Sequence, residues 1–287
     1  MSFVDLHVHT TASDGTLSPT EVVKYGVEKN LSVIAITDHD TISGIEEGMK
    51  AAENEPITVV PGIELACMYQ KREIHMLGFF VDWKDEIFVK RLADLRQNRE
   101  RRNEKMIEKM QRDGIPVTME KLRFEEEDTV ITRAHFARFL EQEGYVKSKN
   151  EAFEKYVGIH CPYYIPREYI DPKEAISWIH QAKGMAFLAH PYLYHFSEYQ
   201  VKTMIKDLKE MGLDGIEAYH STAGIGQTGI LRQYAREHEL LISGGSDFHG
   251  ANKPDVDLGR GWGNLRITHY LYDDIRKKHG KRYDNIS

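Results

Sequence analysis

The chain has 287 residues, 41% apolar and 29% charged, with 22 Gly and only 9 Pro. Those proportions fit one large soluble domain, or a domain with an insertion, and argue against disordered, collagen-like and coiled-coil chains. Lys and Arg number 38 against 45 Asp and Glu, a net charge of −7. That balance excludes a broad cationic face for duplex DNA but leaves room for a small anion held locally.

Phe3–His9 reads as a strand, so no secretory leader is expected, and the cytoplasm is the expected compartment. Ser18-Pro19-Thr20-Glu21 supplies an N-cap, a proline at the first helical position and a glutamate at the third, which together start a helix. Leu31–Thr37 is too apolar for an exposed strand and predicts a buried parallel one. A helix over Thr41 to about Glu53 follows, then strands at Ile57–Val60 and Glu73–Val81. Lys84–Arg112 predicts a long charged helix ended by Gly114. Arg133–Gly144 predicts another, with no strand between the two. Asp171-Pro172-Lys173-Glu174 then caps a helix that stops at Gly184. Met185–Ala189, Asp214–Tyr219 and Leu240–Gly244 read as strands, separated by helices at Ser197–Met211 and about Gly229–Glu239. Leu265–Ile267 reads as a last short strand. Alternation of this kind predicts an α/β protein with a parallel sheet, open or closed. Residues 1–95 and 166–287 form its two parts, and residues 96–165 are a helical insertion over the site. No apolar run is long enough to span a bilayer.

Two cysteines, Cys67 and Cys161, offer neither a disulfide framework nor a CxxC zinc site, and read as buried small residues. Fourteen histidines are more informative, since imidazole is the commonest metal ligand. Five places concentrate metal-binding residue types: Asp5-Leu6-His7-Val8-His9 with Asp14; Thr37-Asp38-His39-Asp40; Pro61-Gly62-Ile63-Glu64 with His75; Ala189-His190-Pro191; and Gly244-Gly245-Ser246-Asp247-Phe248-His249-Gly250. On a strand, His7 and His9 share one face. All five clusters fall at carboxyl ends of expected strands, except His75, which lies near the start of one. Ligand sites form at that edge of parallel α/β folds. Imidazole and carboxylate without thiolate suit Mn, Fe, Zn or Co.

DLHVHTTASDGT, ITDHDT, PGIE, AHP and GSDFHG, in this order, resemble the signatures of the polymerase and histidinol phosphatase (PHP) superfamily. The resemblance implies a distorted seven-stranded (β/α) barrel that binds two or three divalent ions, manganese first, with iron or zinc as alternatives. It also implies phosphoesterase activity. One ion would take His7, His9, Glu64 and Asp247. A second would share Glu64 and take His75 and His190, and a third would take Asp14, His39 and His249. Water activated between two ions would be the nucleophile. His220 is a candidate proton donor to the leaving group, and Asp5 and Asp38 are candidates for orienting histidines.

The insertion resembles that of one branch of the superfamily, through Arg99-Glu100-Arg101-Arg102-Asn103, Thr132-Arg133-Ala134-His135-Phe136-Ala137 and Tyr163-Tyr164-Ile165-Pro166-Arg167. That branch acts on nucleotide 3′,5′-bisphosphates and trims short RNA from its 5′ end. The resemblance gives Arg133 and Arg167, and more weakly His135, the role of holding a phosphate. The expected partner is a small nucleotide or short single-stranded RNA, not duplex DNA or a membrane. A histidinol-phosphate phosphatase and a non-catalytic metal-binding module are the alternatives.

Overall fold

In the computed structural model, which describes residues 2–123 and 129–283, seven strands pair in chain order. They are β1 (Phe3–Val8), β2 (Leu31–Ile36), β3 (Thr58–Tyr69), β4 (Arg72–Phe79), β5 (Met185–Leu188), β6 (Gly215–His220) and β7 (Leu241–Gly245). The dense apolar run of β2 is buried on both faces. Ile34 and Ile36 pack with Val22 and Val23, whereas Val33 and Ala35 pack with Val60, Leu77 and Phe187.

The ring closes where the chain leaving β7 meets β1. Asp247 N donates to His7 O at 3.0 Å, and His9 N donates to Phe248 O at 3.0 Å. A Cβ on Gly245 would lie 2.2 Å from that of His7, so this approach requires glycine. The result is a nearly closed seven-stranded α/β barrel.

Four helices surround the strands early and late in the chain: α1 (Pro19–Glu28), with the expected capping box at Ser18 and Glu21, α2 (Ile45–Ala52), and, after the insertion, α7 (Pro172–Gln181) and α8 (Glu198–Glu210). Between α2 and α7 lie α3 (Glu86–Arg112), α4 (Met119–Arg123), α5 (Arg133–Gln142) and α6 (Lys149–Ala152), the last running into a π-turn at Phe153–Val157. These carry a separate hydrophobic cluster that includes Met106, Met110, Leu122, Phe136, Leu140 and Val157. Helices α9 (Ile225–Glu237) and α10 (His269–Tyr283) complete the chain. Among the described residues, no helix is long and apolar enough to cross a membrane.

The structure corrects the sequence reading in several places. The sheet is not wholly parallel: β3 runs on to Tyr69 and turns back through β4, which is antiparallel to both β3 and β5. Helix α2 starts at Ile45 rather than Thr41, because Thr41 Oγ1 accepts from Ser43 N at 3.2 Å and closes a turn instead. Leu265–Ile267 forms no strand, although Ile267 O accepts from Val4 N at 2.9 Å and both its apolar side chains are buried. Helix α10 had no counterpart in the sequence reading; Arg282 Nη2 anchors it to Asp214 at 2.5 Å. Cys67 is buried as expected, whereas Cys161 is only half-buried.

Candidate metal centre

An antiparallel strand begins at the rim where its parallel neighbours end. His75, near the start of β4, therefore faces the same rim as His7 and His9 on β1, His39 beyond β2, His190 beyond β5 and Asp247 beyond β7. Glu64 comes from the middle of the long β3, opposite Leu77 of β4. It sits at the centre: its Oε1 lies 2.9 Å from both His75 Nδ1 and His190 Nε2, and its Oε2 lies 3.0 Å from His39 Nδ1 and 3.3 Å from His9 Nε2. His7 Nε2 and His9 Nε2 face each other at 3.1 Å. Asp247 Oδ1 is 3.6 Å from His7 and 3.5 Å from His9, and Asp14 Oδ1 is 3.2 Å from His249 Nε2. All nine candidate ligands are thus brought together.

Their grouping differs from the expected partition. Side-chain donor atoms within 4.8 Å of one another form four sets. These are His9 with Asp14, His39 and His249; His7 with Glu64 and His190; His7 and His9 with Asp247; and His39 with Glu64 and His75. Glu64 belongs to two sets, as a bridging carboxylate would. His9 joins Asp14, and His39 leans towards Glu64.

The donor chemistry fits divalent cations. Glu217 Oε1 accepts from His7 Nδ1 at 3.0 Å, which leaves Nε2 facing the cluster as the nitrogen that would take a cation in place of a proton. Glu64 Oε2 and His190 Nδ1 are buried without a hydrogen bond. Burial opposes the charge on His7, but Glu217, Glu64 and Asp247 outweigh it and hold its pKa well above the ordinary value. Burial pushes His190 and His249 down to about 4. Burial also works against ionisation of Glu64 and Asp247, yet the surrounding cationic groups hold both carboxyls well below the usual range. His190 (φ 25°) and Asp247 (φ 59°) occupy left-handed backbone, at a cost of about 1–3 kcal/mol each that the surrounding fold must offset.

The remaining candidates divide. His220 joins the cluster: its Nδ1 lies 2.8 Å from the Thr222 hydroxyl and 3.2 Å from Thr222 N, and its Nε2 lies 3.4 Å from Asp247 Oδ2. Asp5 and Asp38 do not touch an imidazole, contrary to their expected part in orienting the rings. Asp5 accepts from Ser246 N at 2.8 Å, Gly259 N at 2.7 Å and His7 N at 3.3 Å, so it holds β1 against the chain beyond β7. Asp38 accepts from Thr10 N at 2.8 Å and Ser13 Oγ at 2.6 Å, and braces the loop that carries Asp14. Short side chains at strand ends reach backbone before they reach a ring.

Arg133 and Arg167 meet at Glu73, with Nη2 atoms 2.9 and 3.4 Å from its carboxylate, and Glu73 Oε1 lies 3.5 Å from His75 Nε2. Arg167 also donates to Asp40 at 2.9 Å, which Arg99 contacts from α3. Arg99 and Arg133 line a cavity of about 750 Å³ whose floor includes His39, His75 and His190. His135 is excluded from it. Its Nδ1 accepts from Thr132 N at 3.1 Å in a capping box, and burial drives its pKa to about 4, so the ring is neutral and carries no charge for a phosphate. Tyr194, beyond His190, is buried and its hydroxyl donates to Ala189 O at 2.7 Å. Glu217 and Glu73 escaped the sequence reading, though a lone acid in the apolar strand Gly215–His220 was a usable signal for the first, and Asp40 was noted within its cluster without a role.

This constellation corresponds to a known family. The PHP domain model matches residues 5–190. The chain belongs to the PHP family. It is 37% identical over 245 residues to a 5′–3′ exoribonuclease of Haemophilus influenzae, covering 85% of this chain and 89% of that one. It is 30% identical over 260 residues to a 3′,5′-nucleoside bisphosphate phosphatase of Chromobacterium violaceum, covering 90% and 91%. Among solved structures, a chain described as a metal-dependent phosphoesterase from Bifidobacterium adolescentis superposes with a TM-score of 0.86 at 30% identity, covering 96% of each chain. As a PHP-family member the chain is a hydrolase acting on phosphate esters.

Proposed function

We propose that the chain hydrolyses phosphate esters of small nucleotides, 3′,5′-bisphosphates first and the 5′ ends of short RNA second. The observation that carries this reading is the arginine cluster beside the metal-binding group. Arg99 and Arg133 share a cavity with His75 and His190, and the buried Nε atoms of Arg99 and Arg102 have no hydrogen-bond partner. Burial, and then the charges of Arg99, Arg167 and Arg133, push Arg102 down to about 9, so this corner is short of negative charge. A second phosphate answers that need, since guanidinium groups hold phosphate through paired hydrogen bonds.

The roles follow. His7, His9, Asp14, His39, Glu64, His75, His190, Asp247 and His249 would hold two or three divalent ions, manganese first among them. Ions bound there supply Lewis-acid charge and a nucleophile drawn from water. Residues 96–165 form the cover of the cleft and present the arginines to the non-reacting phosphate. The nucleophile adds to phosphorus as the ester P–O bond breaks, and His220, as the imidazolium with Nδ1–H held on the Thr222 hydroxyl at 2.8 Å, gives its Nε2 proton to the departing alcohol and is left neutral. Glu217 keeps the His7 ring in the ligand tautomer. Asp5 and Asp38 act through backbone, by fixing the loops that carry the ligands.

Phosphate release tests this reading. The chelated protein, resupplied with Mn, is offered mononucleotides, 3′,5′-bisphosphate nucleotides and histidinol phosphate. The bisphosphates should give the highest kcat/KM. Preference for histidinol phosphate, or release from none of them, would overturn the assignment.

A further inference from the structure

A second cavity, of about 590 Å³, opens on the other side of Asp247. It shares Leu193, Asp247 and Lys253 with the arginine-lined cavity, so the metal-binding group is the wall between them. The second cavity has the chemistry of a nucleotide site. Lys149, Lys253, Glu141 and Asp255 line it together with neutral donors such as Asn150 and Thr222, and Lys253 Nζ reaches Asp247 Oδ2 at 2.5 Å. Lys149 gives two of its ammonium protons to Ala251 O at 3.1 Å and Asn252 Oδ1 at 2.9 Å, and keeps a third.

Trp262 lines this cavity with 58% of its surface exposed. Its loop is pinned: Asn264 Oδ1 accepts from Trp262 N at 3.2 Å, while Asn264 Nδ2 donates to Ser221 O at 2.9 Å, beside His220. Gly261 (φ 56°) and Gly263 (φ 86°) flank the indole in left-handed conformations that hold it out of the core. An indole kept exposed on a fixed loop is a stacking platform, because every base offers a π-face.

We propose that this second cavity binds the nucleotide that follows the scissile phosphate in short single-stranded RNA, with its base stacked on Trp262. The inference rests on the nucleotide phosphoesterase reading above and adds a subsite to it. The test compares a 5′-phosphorylated dinucleotide, the same dinucleotide with an abasic second position, and a 3′,5′-bisphosphate mononucleotide. In Trp262→Ala the ratio of kcat/KM for dinucleotide over bisphosphate should fall about tenfold or more, chiefly through KM, and Trp262→Phe should recover most of it. The abasic dinucleotide should match the variant's defect in the native protein. A ratio that does not move, or an abasic substrate handled like the intact one, overturns the subsite. Should the native protein hydrolyse none of the three, the reading of function fails. Quenching of indole fluorescence then decides the subsite by itself: quenching by the intact but not the abasic dinucleotide, lost in Trp262→Ala, supports it, and equal or absent quenching overturns it.

Discussion

The floor of the cleft draws its polar groups from the barrel strands and the loops that follow them, whereas Arg99, Arg102 and Arg133 are carried by α3 and α5, helices with a hydrophobic cluster of their own. On the floor, six imidazoles and three carboxylates crowd together, and Glu64 Oε2 and His190 Nδ1 find no hydrogen bond. Two ligand residues sit in left-handed backbone. Such a floor has the donor set of a divalent-cation site. The guanidinium groups near it already have carboxylate partners in Asp40 and Glu73, which they can share with an incoming anion. On the proposed reading, the metal requirement is set by the floor and the choice of ester by the arginines.

Breaking the floor should have the largest effect. Glu64→Gln preserves shape but removes the charge shared by two ligand groups. Activity should fall by more than the roughly 10–100-fold typical of losing an outer partner of a ligand. Bound metal, measured by atomic absorption after gel filtration, should fall with it. Full metal content and full turnover together would show that Glu64 is not at the centre.

Above the floor the expected effect is smaller and selective. Arg133→Ala removes a guanidinium worth about 10–100-fold as a charged hydrogen-bond donor. The ratio of kcat/KM for a 3′,5′-bisphosphate over that for an aryl monophosphate should drop by that factor, with metal content retained. An equal loss on both substrates would move Arg133 from recognition to general architecture.

The same contrast explains what the sequence disclosed. Most candidate ligands of the floor were legible because they follow strand ends, which announce themselves through short β-branched runs, whereas Glu64 proved to lie in the middle of the long β3. His75 fitted the scheme only after β4 proved antiparallel, and the two-residue turn at Gln70 and Lys71, both in left-handed backbone, lacks the Asn-Gly or Gly residues by which such hairpins are usually read. The two longer helices, α3 and α5, were readable, but not the short α4 and α6, nor which arginines turn inward. Arg99 and Arg102 are buried while Arg101 between them is exposed, and a charged helix does not declare that in its composition. His135 shows the limit most clearly. Its sequence neighbourhood suggested an anion ligand, yet at the third position of α5 it took a capping role.

That last residue supports the smallest and sharpest prediction. His135 belongs to the helical cover, and burial, the largest influence on it, drives its pKa from 6.5 to about 4. Because the folded value lies below the unfolded one, its contribution to stability is complete above about pH 6.5. It is lost as the pH falls from there towards 4, where the unfolded chain takes up a proton that the native ring refuses. His135→Gln keeps an acceptor at the third helical position, where glutamine is itself a capping residue, and removes the titration. Urea denaturation of both proteins at pH 7.5 and pH 5 should show the native chain losing more stability than the variant, by up to about 2 kcal/mol at about 1.4 kcal/mol per pH unit. Equal losses would mean that the ring is solvated and protonated in the fold, and His135 would return to the set of groups able to meet a phosphate.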